Sequence, residues 1–148
     1  MGYRSDVMAV FYAQDNMEAY PEDKGFNERN RAKLKLFMSE NFPEYWRGKH
    51  EDSAPENCLT MLDTPDRLIY EFKVSSVKWY EGYQEVNNFE QFWDKFKELI
   101  EEETEGDDPI DWACEFIRIG ENMDDIEERS SDDAEWLLSV SREIQTNY

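Results

Sequence analysis

The chain has 148 residues, of which 36 are acidic and 16 basic, and its formal net charge is −20. This length is typical of one domain that buries roughly two thirds of the surface its unfolded chain would expose, so we expect residues 1–148 to form a single domain. Aromatic residues make up 15% of the chain. That content counts against a disordered acidic protein and favours an acidic surface around an aromatic core.

The negative charge is concentrated in one part of the chain. Residues 98–135, here called the acidic block, hold 17 acidic residues against Arg118 and Arg129, whereas residues 1–50 hold eight of each sign. Such a block repels itself and lowers stability. Its uses are solubility or recognition of a basic surface.

Targeting signals and cysteine chemistry are sparse. The N-terminus lacks the apolar core of a signal peptide, and no apolar run approaches the ~20 residues that span a bilayer. Cys58 and Cys114 fit no zinc-binding spacing, which favours two buried thiols in a reducing compartment. We therefore expect a cytoplasmic protein with no membrane contact and no cofactor.

The first third of the chain predicts a strand and a helix. Residues 7–12 are a short apolar run typical of a central strand. Asn27 is a good N-cap for a helix over about 28–41, which Pro43 ends. The apolar side of this helix recurs at helical spacing and comprises Leu34, Phe37, Met38 and Phe42.

Two strands are predicted next, over 58–62 and 67–80, joined by a turn at 64–66. Apolar residues alternate along the second strand until Ser75-Ser76, where the phase shifts, and this shift indicates a β-bulge.

The second half predicts a helix followed by three strands. Asn88 is the predicted N-cap, and one apolar stripe follows it, formed by Phe89, Phe92, Trp93, Phe96, Leu99 and Ile100. Residues 113–120 predict a strand, and residues 126–129 and 136–144 predict a hairpin. In that hairpin Trp136, Leu138, Val140 and Ile144 are expected to share one face.

The order β-α-β-β-α-β-β-β predicts an α+β fold. We expect an antiparallel sheet with two helices on one face, built as a ferredoxin-like β-α-β-β-α-β core with an added C-terminal β-hairpin.

Four short segments carry a resemblance to a known group. They are residues 1–7 (MGYRSDV), 77–80 (VKWY), 116–120 (FIRIG) and 139–144 (SVSREI). On these the chain resembles small proteins encoded by tailed bacteriophages. The resemblance brings no activity and no site residues with it. It implies a phage origin, and phages make small acidic proteins that resemble DNA and block host nucleases, restriction enzymes or CRISPR complexes.

The acidic block is the first candidate site. Proteins that contact the DNA backbone use Lys and Arg regardless of sequence, so a rigid surface of carboxylates can occupy the same groove. On a strand, Asp125, Glu127 and Arg129 would face one side and Asp124, Ile126 and Glu128 the other. The candidate residues are Asp107, Asp108, Asp111, Glu115, Glu121, Asp124, Asp125, Glu127, Glu128, Asp132, Asp133 and Glu135. The alternative is a solvated acidic face that keeps the protein soluble.

Trp79, Tyr80 and Tyr83 form the second candidate, a group for contact with a partner protein. Direct stacking on nucleic-acid bases is disfavoured, because Glu81 and Glu85 would repel a phosphate backbone.

Metal and catalytic sites have little support. The acids do not reproduce a calcium-loop pattern, and His50 is the one histidine, with no context for a catalytic pair. We therefore expect no metal site and no enzyme activity.

The helix around Arg29, Arg31, Lys33 and Lys35 is basic, so a homodimer in which it meets the acidic block of a second copy is an open alternative. Our main prediction is a non-enzymatic phage protein that binds a basic host protein, one that handles DNA or RNA. It would act as a DNA mimic against a restriction or CRISPR defence system. The alternative is a structural or regulatory adaptor whose acidic face is merely solvated.

Overall fold

The described part of the chain contains two α-helices and seven β-strands. A computed structural model describes residues 2–15, 25–47, 58–103, 109–122, 124–132, 134–140 and 144–148. In chain order the elements are β1 (Ser5–Gln14), α1 (Phe26–Asn41), β2 (Leu59–Asp63), β3 (Arg67–Val77), α2 (Gln84–Glu103), β4 (Trp112–Gly120), β5 (Ile126–Ser130), β6 (Leu138–Val140) and β7 (Ile144–Thr146).

Five of the strands form one sheet in the order β2-β3-β1-β4-β5, and every neighbouring pair is antiparallel. Both helices pack their apolar residues on the same side of this sheet. The predicted α+β class, with an antiparallel sheet and two helices on one face, is confirmed.

The predicted hairpin between residues 126–129 and 136–144 is wrong. β5 pairs with β4, with Glu127 opposite Arg118, whereas β6 pairs with β7 in a separate two-stranded sheet. The amide of Gly120 donates to the carbonyl of Asp125 at 2.8 Å. Because this tight turn places β5 directly beside β4, β5 pairs with β4 and not with the residues that follow it.

β1 is the centre of the sheet and is buried on both faces. Val7, Ala9, Phe11 and Ala13 face the helices. Met8, Val10 and Tyr12 face a second apolar cluster that includes Leu137 and Leu138. Because neither face meets water, the strand is a continuous apolar run instead of an alternating one, as the sequence predicted for a central strand.

The apolar stripes predicted for both helices are confirmed. In α2, Phe92 and Phe96 pack edge-on against Phe11 of β1, with ring centroids 5.0 and 5.1 Å apart. The predicted caps are wrong. α1 begins at Phe26, after Gly25, and α2 begins at Gln84, so Asn27 and Asn88 lie inside helices.

Tertiary packing explains the earlier helix starts. Phe26 and Val86 are each 3% exposed. Burying such side chains stabilises the added turn by about 1.5–3 kcal/mol, which exceeds the preference of an asparagine for a cap position.

The predicted bulge in β3 is confirmed. Ser5 pairs with Val77 and Val7 with Val74, so β3 holds one extra residue there. Ser76 has a left-handed φ of 55°. Its amide donates to Asp6 Oδ1 at 2.8 Å and its carbonyl accepts from Arg4 Nη1 at 3.1 Å, so residues of the N-terminal segment hold the bulge in place.

Asn30 joins α1 to the end of β1 and the start of β4. It is 1% exposed. Its amide Nδ2 donates to the carbonyls of Gln14 and Asp111 at 3.0 and 3.1 Å, and its Oδ1 accepts from the Asp111 amide at 3.0 Å. One side chain thus satisfies three backbone groups at the edge of the helix layer.

We expect Asn30→Ala to lower the free energy of unfolding by about 2–3 kcal/mol, because it leaves buried backbone groups without partners. Urea denaturation monitored by circular dichroism measures this change. The control is Asn88→Ala, which should change stability by less than about 0.5 kcal/mol, because a side chain inside a helix has no capping role to lose. Equal losses in the two variants would contradict the role given to Asn30.

Candidate interaction surface

The alternation of β5 sends the residues of the acidic block to opposite faces of the sheet. Asp125, Glu127 and Arg129 line a cleft of about 570 Å³ on the helix side, together with Tyr3 and Trp79. Glu128 lines a cavity of about 350 Å³ that also contacts residues of β6. The predicted division is confirmed for Asp125, Glu127 and Arg129 on one side and for Ile126 and Glu128 on the other, so the block does not form one continuous face. Asp124 lies in the turn before the strand.

On the helix side, five charged residues form a continuous chain of ion pairs. Arg118 binds Asp125 through two hydrogen bonds of 2.7 and 3.0 Å, and its Nε lies 3.2 Å from Glu127 Oε1. Glu127 Oε2 lies 3.3 Å from Arg129 Nε, and Arg129 binds Glu90 of α2 through bonds of 2.7 and 2.8 Å. This ion-pair chain fastens α2 to the edge strand.

The Arg129 guanidinium also stacks on the core. It lies 4.1 Å from the centroid of the Phe116 ring and 5.0 Å from that of Trp93. A cation in this position gains from the negative face of each ring. The two arginines of the acidic block therefore serve the packing of the fold.

Asp125 is held in its ionised form. Hydrogen bonds from Arg118 and then from the hydroxyl of Tyr3 lower its pKa from 3.8 to about 2. The Tyr3 hydroxyl also accepts a 2.9 Å hydrogen bond from the amide of Asn122. Gly120 lies directly under Tyr3 and Asp125, where a Cβ atom would collide with both side chains. A side chain at this position would displace the Tyr3 and Asp125 side chains from their hydrogen bond.

The predicted partner-binding residues fall into three groups. The first is exposed: within the described chain, no lysine or arginine forms an ion pair with Asp124, Glu128, Asp132 or Glu135, here called the β5 acids. Glu121 is exposed as well, and its carboxylate accepts a 2.7 Å hydrogen bond from the amide of Arg4.

The second group is engaged within the fold. It consists of Asp125 and Glu127 in the ion-pair chain and of the partly buried Asp111. The third group, Asp107, Asp108 and Asp133, lies outside the described residues.

Glu115 was also expected at the acidic surface, and that expectation is wrong. Its side chain is buried at 3% exposure. Its carboxylate accepts hydrogen bonds from the Tyr12 hydroxyl at 2.7 Å and from the amides of Leu137 and Leu138 at 2.9 Å each. The signal was present in the sequence: a carboxylate in the middle of an apolar strand must be paired, because an isolated buried charge is too costly.

Burial, and then the neighbouring carboxylate of Glu115, raise the pKa of the Tyr12 hydroxyl far above its ordinary value. Tyr12 therefore stays protonated and keeps its donor for Glu115. Its oxygen in turn accepts a 2.7 Å hydrogen bond from the Glu135 amide. Tyr12 and Glu115 together anchor the segment that follows β5.

That segment presents Trp136 to solvent. The side chain is 65% exposed and the backbone adopts a left-handed φ of 56°. Trp136, Leu138 and Val140 line one cavity, as expected of residues that share a face. Trp136 itself, however, precedes β6 and is exposed in a left-handed turn, whereas Leu137 and Leu138 are both buried. A bulky residue in this conformation costs about 1–3 kcal/mol.

The predicted aromatic group is divided. Trp79 is partly buried and packs against the core, with ring centroids 5.3 Å from Phe89 and 5.4 Å from Trp46. Tyr80 and Tyr83 contact each other with ring centroids 5.1 Å apart, and Tyr83 is 40% exposed. The aromatic contact surface of the alternative prediction is therefore reduced to the two tyrosines.

The basic helix is partly neutralised inside the chain. Arg31 binds Asp15 through two bonds of 2.9 Å and reaches Asp63 at 2.6 Å. Its charge therefore fastens α1 to the end of β1 and to β2.

The two thiols are free and buried, as predicted. Burial raises the pKa of Cys114 to about 12, so this thiol is protonated at neutral pH. Among the described residues, no three acidic, histidine or cysteine side chains are grouped so that they could hold a metal ion. Neither described helix combines the length and the apolar character that crossing a membrane requires.

We expect Asp125→Asn to flatten the acid limb of the stability profile. Folding lowers the pKa of Asp125, so its contribution is fully present above its ordinary pKa of 3.8 and is lost as the pH falls through about 2. Urea denaturation at a series of pH values across this range measures the slope. The control is the exposed neighbour Asp124→Asn, which should keep the slope of the unmodified chain. A slope that Asp125→Asn leaves unchanged would contradict the ion-pair assignment.

We expect Trp136→Gly to raise the free energy of unfolding by about 0.5–1 kcal/mol, because glycine adopts a left-handed φ without strain and little buried area is lost. The control is Glu135→Gly, at an exposed site without positive φ, which should lower stability by about the same amount. Thermal unfolding followed by calorimetry compares the two. Destabilisation by both variants would show that the indole supports the fold.

The chain was compared with protein families, with curated proteins and with solved structures, and no match was found in any of them.

Proposed function

We propose that the chain is a non-enzymatic acidic protein that binds a basic protein surface through the β5 acids. The observation that carries this proposal is the difference between the paired and the unpaired carboxylates of β5 and its flanking turns. On the helix side, Asp125, Glu127 and Glu90 form ion pairs with arginines. The β5 acids are exposed, and no lysine or arginine in the described part of the chain forms an ion pair with them.

The mode of action we propose is competition with nucleic acid. Proteins that hold DNA or RNA line their grooves with Lys and Arg that contact phosphates regardless of sequence. Carboxylates on a rigid strand and its flanking turns can pair with the same side chains. The Gly120–Asp125 turn and the Glu115 anchor restrain the backbone on both sides of β5, so the acids are held in place before a partner arrives.

The finer form of the proposal is a phage protein that acts in the host cytoplasm and inhibits a restriction or CRISPR defence complex. Its support is the sequence resemblance to proteins of tailed bacteriophages together with the exposed acids. The N-terminal part of that resemblance has a structural use in this chain, because Tyr3, Arg4 and Asp6 hold the β4–β5 turn and the β3 bulge.

We also propose that β1 to β4 and the two helices form a ferredoxin-like core. Support comes from the strand order β2-β3-β1-β4, from the antiparallel pairing throughout and from the placement of both helices on one side. In this view β5 extends the sheet, and β6 with β7 covers the second face.

The test is a pull-down from bacterial lysate with the tagged full chain, at about 0.05 M and about 0.5 M NaCl, since salt screens exposed charge pairs within about 10 Å at 0.1 M. We expect a nucleic-acid-binding protein to be retained at low salt, released at high salt and displaced by added duplex DNA. The variant in which the β5 acids become Asn or Gln should lose it.

The matched control neutralises four exposed acids on α2, Asp94, Glu98, Glu101 and Glu102, and so makes the same change in net charge. This control should keep the partner. Retention by the β5 variant, or equal loss from both variants, would contradict the proposed surface. A partner that resists high salt and has no nucleic-acid role would favour the adaptor alternative.

A further inference from the structure

We propose that Trp136 and the cavity beside it form a subsite for an arginine side chain of the basic partner. This inference rests on the proposed function and adds to it the identity of the side chain that is recognised. The cavity of about 350 Å³ is lined by Trp136, Glu128 and Arg129, by Ser130 and Ser139, and by apolar residues such as Leu138. The guanidinium of Arg129 is bound to Glu90 on the helix side.

The exposure of Trp136 is the first observation. The indole is 65% exposed, whereas Trp46, Trp93 and Trp112 are each 2–3% exposed. A left-handed backbone, which a bulky residue seldom adopts, keeps it outside the core. The folded chain therefore leaves a large apolar ring exposed to solvent.

The rigidity of the backbone around Trp136 is the second observation. Hydrogen bonds hold the amide of Glu135, the carbonyl of Trp136 and the amides of Leu137 and Leu138. Their partners include Tyr12 and Glu115, both in the core of the sheet. The ring is thus presented by a fixed backbone, which reduces the ordering that binding requires.

Charge decides which ligand the subsite fits. Of the β5 acids, Glu128 lines the cavity, and Asp132 and Glu135 are exposed on the loop that leads to Trp136. An apolar partner would have to desolvate carboxylates without pairing them, which is unfavourable. A cation gains from both the indole face and the carboxylates.

Arginine fits this subsite better than lysine. Its planar guanidinium can stack on the indole and at the same time donate in a fork to a carboxylate such as that of Glu128. The compact ammonium of lysine is more strongly hydrated and cannot make both contacts in this way.

The test uses the full chain and two fluorescein-labelled probes, octa-arginine and octa-lysine, with binding followed by fluorescence anisotropy. We expect the unmodified chain to bind octa-arginine more tightly, and Trp136→Ala to weaken octa-arginine binding about fivefold and to remove the difference between the probes. The control is Leu36→Ala, at a side chain on α1 that is 60% exposed, and it should bind both probes like the unmodified chain.

The outcomes separate this inference from the proposed function. If Trp136→Ala keeps both the affinity and the preference for arginine while the β5-acid variant loses binding, the subsite is overturned and the acidic surface stands. If the β5-acid variant also keeps full affinity, both fail.

A second measurement does not depend on the folding of Trp136→Ala. In the chain labelled with 5-fluorotryptophan, the ¹⁹F resonance of Trp136 is identified by its absence from Trp136→Phe. We expect octa-arginine to shift this resonance, because the guanidinium would lie on the ring. An unshifted Trp136 resonance at saturating octa-arginine would overturn the proposal.

Discussion

The carboxylate of Glu115 is the interaction on which the second layer of the protein depends. It is buried at 3% exposure and accepts from a tyrosine hydroxyl and two backbone amides. A buried carboxylate without donors would be strongly destabilising, so the amides of Leu137 and Leu138 must stay beside it. This requirement holds the segment after β5 against the apolar face formed by Met8, Val10 and Tyr12. The same hydrogen bonds fix the backbone next to Trp136, whose side chain is exposed. The burial of Glu115 and the position of the proposed binding surface therefore depend on the same contacts.

The arginines of the fold determine which negative charges remain available. Arg31 forms ion pairs with Asp15 and Asp63, and Arg118 forms ion pairs with Asp125 and with one carboxylate oxygen of Glu127. The pairs of Arg31 join residues 16 and 32 positions apart, whereas those of Arg118 join the adjacent strands β4 and β5. The exposed β5 acids lie outside these pairs, as do exposed acids elsewhere, among them Asp94, Glu98, Glu101 and Glu102 of α2. The unpaired acids of β5 and its flanking turns thus cost stability through self-repulsion, whereas the carboxylates that meet arginines contribute to stability.

Much of the secondary structure could be predicted, because it depends on the spacing of neighbouring residues. The apolar stripe from Phe89 to Ile100, the apolar run of β1 and the bulge at Ser75-Ser76 are all visible in the sequence as local periodicity. The errors had two causes, one tertiary and one local. Both helices begin earlier than their best capping residue because tertiary packing buries an additional side chain, and β5 joins β4 because the intervening turn is short and tightly bonded.

The sequence by itself determined the net charge of the chain, the position of the acidic block, the α+β class and the division of the β5 side chains between two faces. These are sums or short-range periodicities, so they need no knowledge of the fold. The tertiary structure alone decided which acids are paired, which donors hold Glu115 and that Trp136 is exposed. These properties depend on contacts such as Tyr12 with Glu115 and Glu90 with Arg129, which join residues 103 and 39 positions apart. The sequence does not show whether a charged side chain will contact a buried donor, an arginine or water. That depends on which residues the sheet and its two covering layers bring together in the folded chain.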